Sequence, residues 1–238
     1  MALPIVETPR YECTLASQDT KVQYRPFLVK EEKILLVAME SKDNNEIINA
    51  TKQVIQACTY NKLDVDKLPM FDIEYLLLQI RSKSVGEISK FKVVCPDDKQ
   101  TVADVELDLS TVEVQVEDDH TNKIVIDEKR NLGLVLNYPS LGITKAGFDV
   151  NKADTDSMFN VICSCIDHIF EGDKIYPAKD STQKELKDFI ESVTQKAFLD
   201  IKKFFESAPQ LRHEVEVTNP KTGVKSKVTF RGLQDFFQ

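Results

Sequence analysis

One pair of residues in this sequence has the types and the spacing for nucleophilic catalysis, Cys165 and His168. Three residues apart in a predicted helix, they would share one helix face. A cysteine hydrolase normally draws its nucleophile and its base from different elements, and neither residue lies near a Gly-x-Ser-x-Gly elbow. Hydrolysis by Cys165 and His168 is therefore the weakest interpretation that we keep, and it requires a lowered thiol pKa and an open cleft.

Phosphate and metal chemistry have even less support. The 7 glycines form no Gly-x-Gly-x-x-Gly, and Gly172-Asp-Lys174 lacks the upstream glycine and the Ser or Thr of a phosphate loop. Cys163-Ser-Cys165 is one residue too short for a zinc knuckle, and the acidic run 117–119 lacks the spacing of a calcium loop. We predict no cofactor and no metal. Five cysteines without disulfide spacing predict free thiols.

Composition excludes other classes of protein. The 238 residues carry 31 Lys and Arg against 39 Asp and Glu, a net charge of −8, with both signs scattered along the chain. A nucleic-acid binder needs a basic stripe, so we expect no direct contact with DNA or RNA. The longest apolar run, 34–39, is too short to span a bilayer, and the first residues have no signal-peptide profile. We expect a cytosolic protein without a membrane partner.

Hydrophobic periodicity predicts an α+β fold that begins with an N-terminal domain over 1–139. Its elements are a hairpin over 10–25, three helices between 31 and 86, a long hairpin over 88–109 and short strands up to 138. The nearly continuous apolar run 34–39 predicts a helix buried on several sides. Asp43 or Asn44 and Asp72 are candidate N-caps of the second and third helices.

Residues 140–151, with Gly142 and Gly147, are the predicted linker to a C-terminal domain over 152–238. The pattern of 158–169 predicts a helix, followed by a loop over 170–180. Thr182 and Glu185 have capping-box spacing at the start of another helix. A helical, bundle-like domain closed by a C-terminal β-hairpin is expected.

Apolar side chains in polar segments are the most informative feature for function. The loop 170–180 interleaves them with charged residues, and two phenylalanines stand together at 236–237. These groups either fold back on their own domain or meet another subunit, and we favour the second alternative. The predicted partner interface comprises Phe170, Lys174, Ile175, Tyr176, Phe236 and Phe237.

Three segments, in the same order along the chain, resemble one known family. Tyr24–Lys33, Phe71–Leu78 and Cys163–Asp180 are similar to the baseplate hub subunit of T4-type contractile-tailed bacteriophages. The resemblance implies a structural or assembly role in the central hub of the baseplate, without enzymatic activity. It implies partners among the other baseplate hub or tail proteins, and a location in the host cytoplasm during assembly and in the virion tail if the chain is retained.

The family resemblance also bears on zinc. Some relatives carry Cys-Pro-x-Cys hairpins that could hold zinc, whereas here Cys95-Pro96 precedes two aspartates and the second hairpin has Asn219-Pro220. We therefore predict no zinc, although the hairpins around Cys95 and Asn219 are similar in sequence to each other. A transient assembly chaperone, absent from the mature virion, remains an alternative to a permanent hub subunit. Copy number and oligomeric state stay open.

Overall fold

A computed structural model describes residues 7–18, 20–141 and 155–236 of the chain. Helices alternate with small antiparallel sheets, which confirms the predicted α+β class. The chain forms two compact units. The first comprises Met1–Gln115 together with Gln210–Gln238, and the second comprises Val116–Pro209.

The first unit contains a hairpin, a set of helices, a second hairpin and a three-stranded sheet. In chain order its elements are β1 (Tyr11–Leu15), β2 (Thr20–Tyr24), α1 (Val29–Ser41), α2 (Asn44–Cys58), α3 (Met70–Val85), β3 (Ile88–Val94), β4 (Val102–Asp108), β5 (Glu113–Gln115), β10 (Gln210–Thr218), β11 (Lys225–Arg231) and α7 (Gly232–Phe236). The sheet order is β11-β10-β5, and β3 pairs with β4.

The core of the first unit lies under α3. Leu78 of α3 packs with Phe91 and Leu211 from the strands and with Phe230 and Phe236. Asp72, predicted as an N-cap, instead lies inside the first turn of α3, since Pro69 caps the helix. Its buried carboxylate accepts the Ala16 N–H at 3.0 Å and the Ser17 hydroxyl, so it ties the β1–β2 turn to α3. The Asp43 cap of α2 is confirmed.

The second unit packs helices on one face of a four-stranded antiparallel sheet. Its elements are β6 (Lys123–Asp127), β7 (Leu132–Leu136), α4 (Thr155–Cys165), β8 (Ile166–Glu171), β9 (Lys174–Pro177), α5 (Gln183–Ser192) and α6 (Gln195–Glu206), with the strands in the order β6-β7-β8-β9. Ile124 and Leu134 of the sheet share a core with Ile162, Ile190 and Phe204 of the helices. The capping box of Thr182 and Glu185 is confirmed at the start of α5.

The compact units differ from the predicted domains 1–139 and 152–238. Strand pairing is the reason, because β7 pairs with β8 across the predicted linker and β10 returns to pair with β5. Of the predicted linker 140–151, residues 142–151, including Gly142 and Gly147, lie outside the described residues. The C-terminal hairpin belongs to the first unit, so it does not close a helical bundle.

The predicted helix over 158–169 ends at Cys165, and Ile166–Glu171 forms β8. Hydrogen bonds to β7 on one side and β9 on the other favour the strand over the helical pattern. The predicted loop 170–180 is the β8–β9 hairpin followed by a short turn of 3-10 helix at Ala178–Asp180. Gly172 makes the tight turn with a φ of +58°, which suits glycine.

Candidate interaction surfaces

The geometry of Cys165 and His168 argues against a nucleophile and its base. Cys165 ends α4 and is fully buried, whereas His168 lies on β8, so the two do not share a helix face. Burial raises the pKa of the Cys165 thiol to about 12. The His168 Nδ1 instead lies 2.7 Å from an Asp167 carboxylate oxygen. A hydrolase needs a lowered thiol pKa, and the structure shows the opposite.

His120 lies in an aromatic cluster that the sequence did not predict. Its ring stacks on Tyr138 and Phe204, with centroids 5.6 and 5.3 Å away. The Ser207 hydroxyl donates to the Lys203 carbonyl at 2.8 Å, so the His120 Nδ1–H donates to Ser207 Oγ and Nε2 accepts from the Tyr138 hydroxyl, both at 2.9 Å. Burial lowers the pKa of His120. The neutral ring is therefore a structural group, and it does not take the proton of Ser207.

The two similar hairpins meet at their tips. The Asn219 amide is buried, and its Nδ2 donates to both Asp97 carboxylate oxygens at 2.9 and 3.0 Å. The Thr222 hydroxyl donates to the same carboxylate at 2.7 Å. These bonds, led by the one from Asn219, lower the pKa of Asp97. Within the described residues, no group of three or more His, Cys, Asp or Glu side chains could hold a metal.

An open groove of about 1000 Å³ runs between β6 and α6 in the second unit. Acidic and basic side chains line it together, and Lys203 forms an ion pair with Asp119 across it. This mixture of charges gives no sign of one class of ligand.

The six predicted interface residues have different environments. Phe236 is fully buried in the first unit, where its ring lies 5.6 Å from that of Phe230 and its carbonyl accepts from Arg81. Phe170 is buried on the sheet of the second unit. These two side chains therefore pack on their own units and are not exposed. Lys174, Ile175 and Tyr176 are exposed, and Phe237 lies outside the described residues.

The β8–β9 hairpin borders a sheet face that no described helix of the second unit covers. Val125, Gly133, Phe170 and Ile175 pair in register across the four strands, on the opposite side from the core residues Ile124 and Leu134. Phe170 lies over Gly133, and Val125 and Ile175 at the two edges are exposed. We call Val125 and Ile175, the exposed residues on either side of the buried Phe170, the sheet face.

A larger apolar surface lies on α1. The exposed fractions of Val29, Leu36, Val37 and Met39 are 81%, 55%, 57% and 57%, and we call these four residues the α1 face. The sequence predicted that this helix is buried on several sides. Within the described residues, α1 instead packs mainly on α2 and leaves the other side open. Exposed apolar patches of this kind mark interaction sites.

A comparison with protein families shows the family of this chain. A family model described as "T4 bacteriophage base plate protein" matches residues 8–238. The chain belongs to this family. Neither the curated proteins nor the solved structures gave a match.

Membership of the base plate family confirms the resemblance at the level of the baseplate. A base plate protein belongs to the tail of the phage and contacts other baseplate or tail proteins. The α1 face and the sheet face are therefore candidate contact surfaces of a base plate protein. In the described part of this chain, no helix is both long enough and apolar enough to cross a membrane.

Proposed function

We propose that this base plate protein is a structural component of the central hub of the baseplate, and that it acts through protein contacts without catalysis. The observation that carries the proposal is the α1 face on a chain of the base plate family. We favour the hub because one of the segments that resemble hub subunits, Tyr24–Lys33, contains the first residues of α1.

The α1 face is energetically suited to a contact. Leu36, Val37 and Met39 each leave more than half of their surface in water. Covering apolar surface contributes about 25 cal/mol per Å², so each of these side chains could add on the order of 1 kcal/mol to the binding of a partner. A monomer would gain nothing from displaying them.

The start of α1 is held in place before any partner binds. The buried Glu31 carboxylate accepts from the Arg25 guanidinium at 2.9 Å and from the Leu28 N–H at 2.8 Å. Asp43 caps α2, on which α1 packs. A surface fixed in this way loses little conformational freedom on binding, which favours affinity.

The test is the composition of purified particles of the phage that encodes this chain, measured by quantitative mass spectrometry. We expect the chain in fixed stoichiometry with the other baseplate proteins. Leu36→Asp should abolish incorporation without changing the melting temperature. Leu199→Asp is the matched control, since Leu199 is a helical leucine with 57% exposure on α6.

Two results would contradict the proposal. Absence of the chain from mature particles whose assembly requires it would favour an assembly chaperone. Normal incorporation of the Leu36→Asp variant would show that the α1 face is not the contact that retains the protein.

We also propose a second contact at β9, the edge strand of the β8–β9 hairpin, through Lys174, Ile175 and Tyr176. Ile175, at 63% exposure, supports it. Tyr176→Ala should weaken partner binding by about 1–2 kcal/mol and hardly change the melting temperature of the isolated protein. A markedly lower melting temperature with unchanged assembly would show that Tyr176 only packs on its own unit.

A further inference from the structure

The apolar residues of α1 follow a coiled-coil spacing. Val29 and Leu36 are seven residues apart, and Met39 follows Leu36 by three, so these side chains lie on one stripe of the helix. All three are more than half exposed. Glu32, three residues after Val29, occupies the remaining position of the stripe, so its apolar part against a partner is Leu36 and Met39. From α1, the groove against α2 is lined by Lys33, Ile34 and Val37 among others, and by none of the three apolar stripe residues, so α2 leaves the stripe accessible.

Two opposite charges border the same stripe. Lys33 and Glu40 are also seven residues apart, so they occupy equivalent positions on one edge of the stripe. Both are exposed, and neither is ion-paired with another described residue. A lysine and a glutamate in equivalent positions are complementary to a copy of the same helix running in the opposite direction.

The register follows from coiled-coil geometry. In an antiparallel pair, the register that sets Leu36 against Met39 of a second copy also sets Lys33 beside Glu40 of that copy. A two-fold axis repeats both contacts. In a parallel pair, Lys33 would instead lie beside Leu28 or Leu35 of the other copy, which offer no charge.

We propose that the stripe of the α1 face formed by Val29, Leu36 and Met39 is a self-association site, where two copies of this chain pair through antiparallel α1 helices. The inference rests on the proposed function in that it takes the α1 face as the contact surface and names the partner as a second copy. Charge complementarity of Lys33 and Glu40 about the two-fold axis selects that partner. The seam covers about two helical turns, so the dimer belongs to the weak class of interfaces.

Charge reversal tests the arrangement, with sedimentation velocity of the full chain at low salt up to about 500 µM. K33E and E40K each place like charges at both two-fold-related contacts, so each should weaken association by about tenfold. An equimolar mixture of K33E and E40K should pair as strongly as wild type, because every contact then joins a lysine to a glutamate. The double variant K33E/E40K should self-associate for the same reason.

Apolar variants complete the experiment. L36D should abolish dimers, and L199D should leave them unchanged. A wild-type chain that stays monomeric at 500 µM would overturn the inference. L36D sensitivity without any response to charge reversal would overturn the antiparallel register. If the chain is monomeric but L36D still prevents incorporation into particles, the inference fails while the proposed function stands.

Discussion

Gly133→Ala tests how the sheet face is built. Gly133 lies in the middle of β7, between Val125 of β6 and Phe170 of β8. A Cβ atom at this position would lie 2.3 Å from the Ile124 carbonyl oxygen and 2.4 Å from Phe170 Cζ. Both distances are far inside van der Waals contact. The glycine is therefore required by close approach, since Phe170 uses the space that a side chain would fill.

The cost of the substitution has two parts. The new methyl group overpacks the sheet and forces β6 to shift, which typically costs about 1–3 kcal/mol. Displacing the buried Phe170 ring loses part of its packing, including the Lys123 ammonium 4.8 Å from the ring centroid. We expect a total of about 3 kcal/mol, which lowers the melting temperature by roughly 6–12 °C in a protein of this size.

A double-mutant cycle with Phe170→Ala isolates the contact, using urea unfolding monitored by circular dichroism. Phe170→Ala removes the ring that blocks a side chain at 133, while the contact with the Ile124 carbonyl remains. The double variant should therefore cost at least 1 kcal/mol less than the sum of the single variants. Strict additivity, or a Gly133→Ala variant as stable as wild type, would refute the idea that Phe170 packs on Gly133.

Other parts of the structure give further predictions. Asn219→Asp should destabilise the protein more than Asn219→Ala in urea unfolding at pH 7, because it sets a carboxylate against Asp97; equal costs would contradict the hairpin contact. All five buried thiols should react with a disulfide reagent at the rate of unfolding; fast labelling of Cys165 in the folded protein would revive the hydrolase interpretation. Because burial lowers the pKa of His120, the unfolded state binds its proton more readily, and stability falls as the pH drops below about 6.5 until the folded-state pKa is passed. The stability difference between wild type and His120→Gln should therefore be larger at pH 8 than at pH 5. Elemental analysis should find no stoichiometric zinc, and about one zinc per chain would overturn this expectation.

Local signals in the sequence were sufficient to predict many helices, caps and hairpins. The Asp43 cap, the capping box of Thr182 and Glu185 and the long hairpin over 88–109 depend on residues close together in the chain. Each is therefore visible in a short window of sequence. The family resemblance was equally accessible, because ordered motifs do not require knowledge of packing.

Pairing between distant segments was not predictable in this way. The segment Ile166–Glu171 has a spacing that fits a helix, and the strands on both of its sides decide that it is β8. The pairing of β5 with β10 brings Gln115 beside Gln210, and no local pattern indicates it. The exposure of α1 was also not predictable. A continuous apolar run predicts contact with other apolar groups, but it does not indicate whether those groups belong to the same chain or to another.

The pairing of Gln115 with Gln210 has a consequence for biosynthesis. Val116–Pro209 is continuous in sequence, so the ribosome synthesises all of the second unit before it synthesises β10. The core of the first unit stays incomplete until Leu211, Phe230 and Phe236 have left the exit tunnel. The nascent chain must therefore keep α3 partly uncovered while the second unit folds, which makes this the period of greatest exposure to chaperones and aggregation.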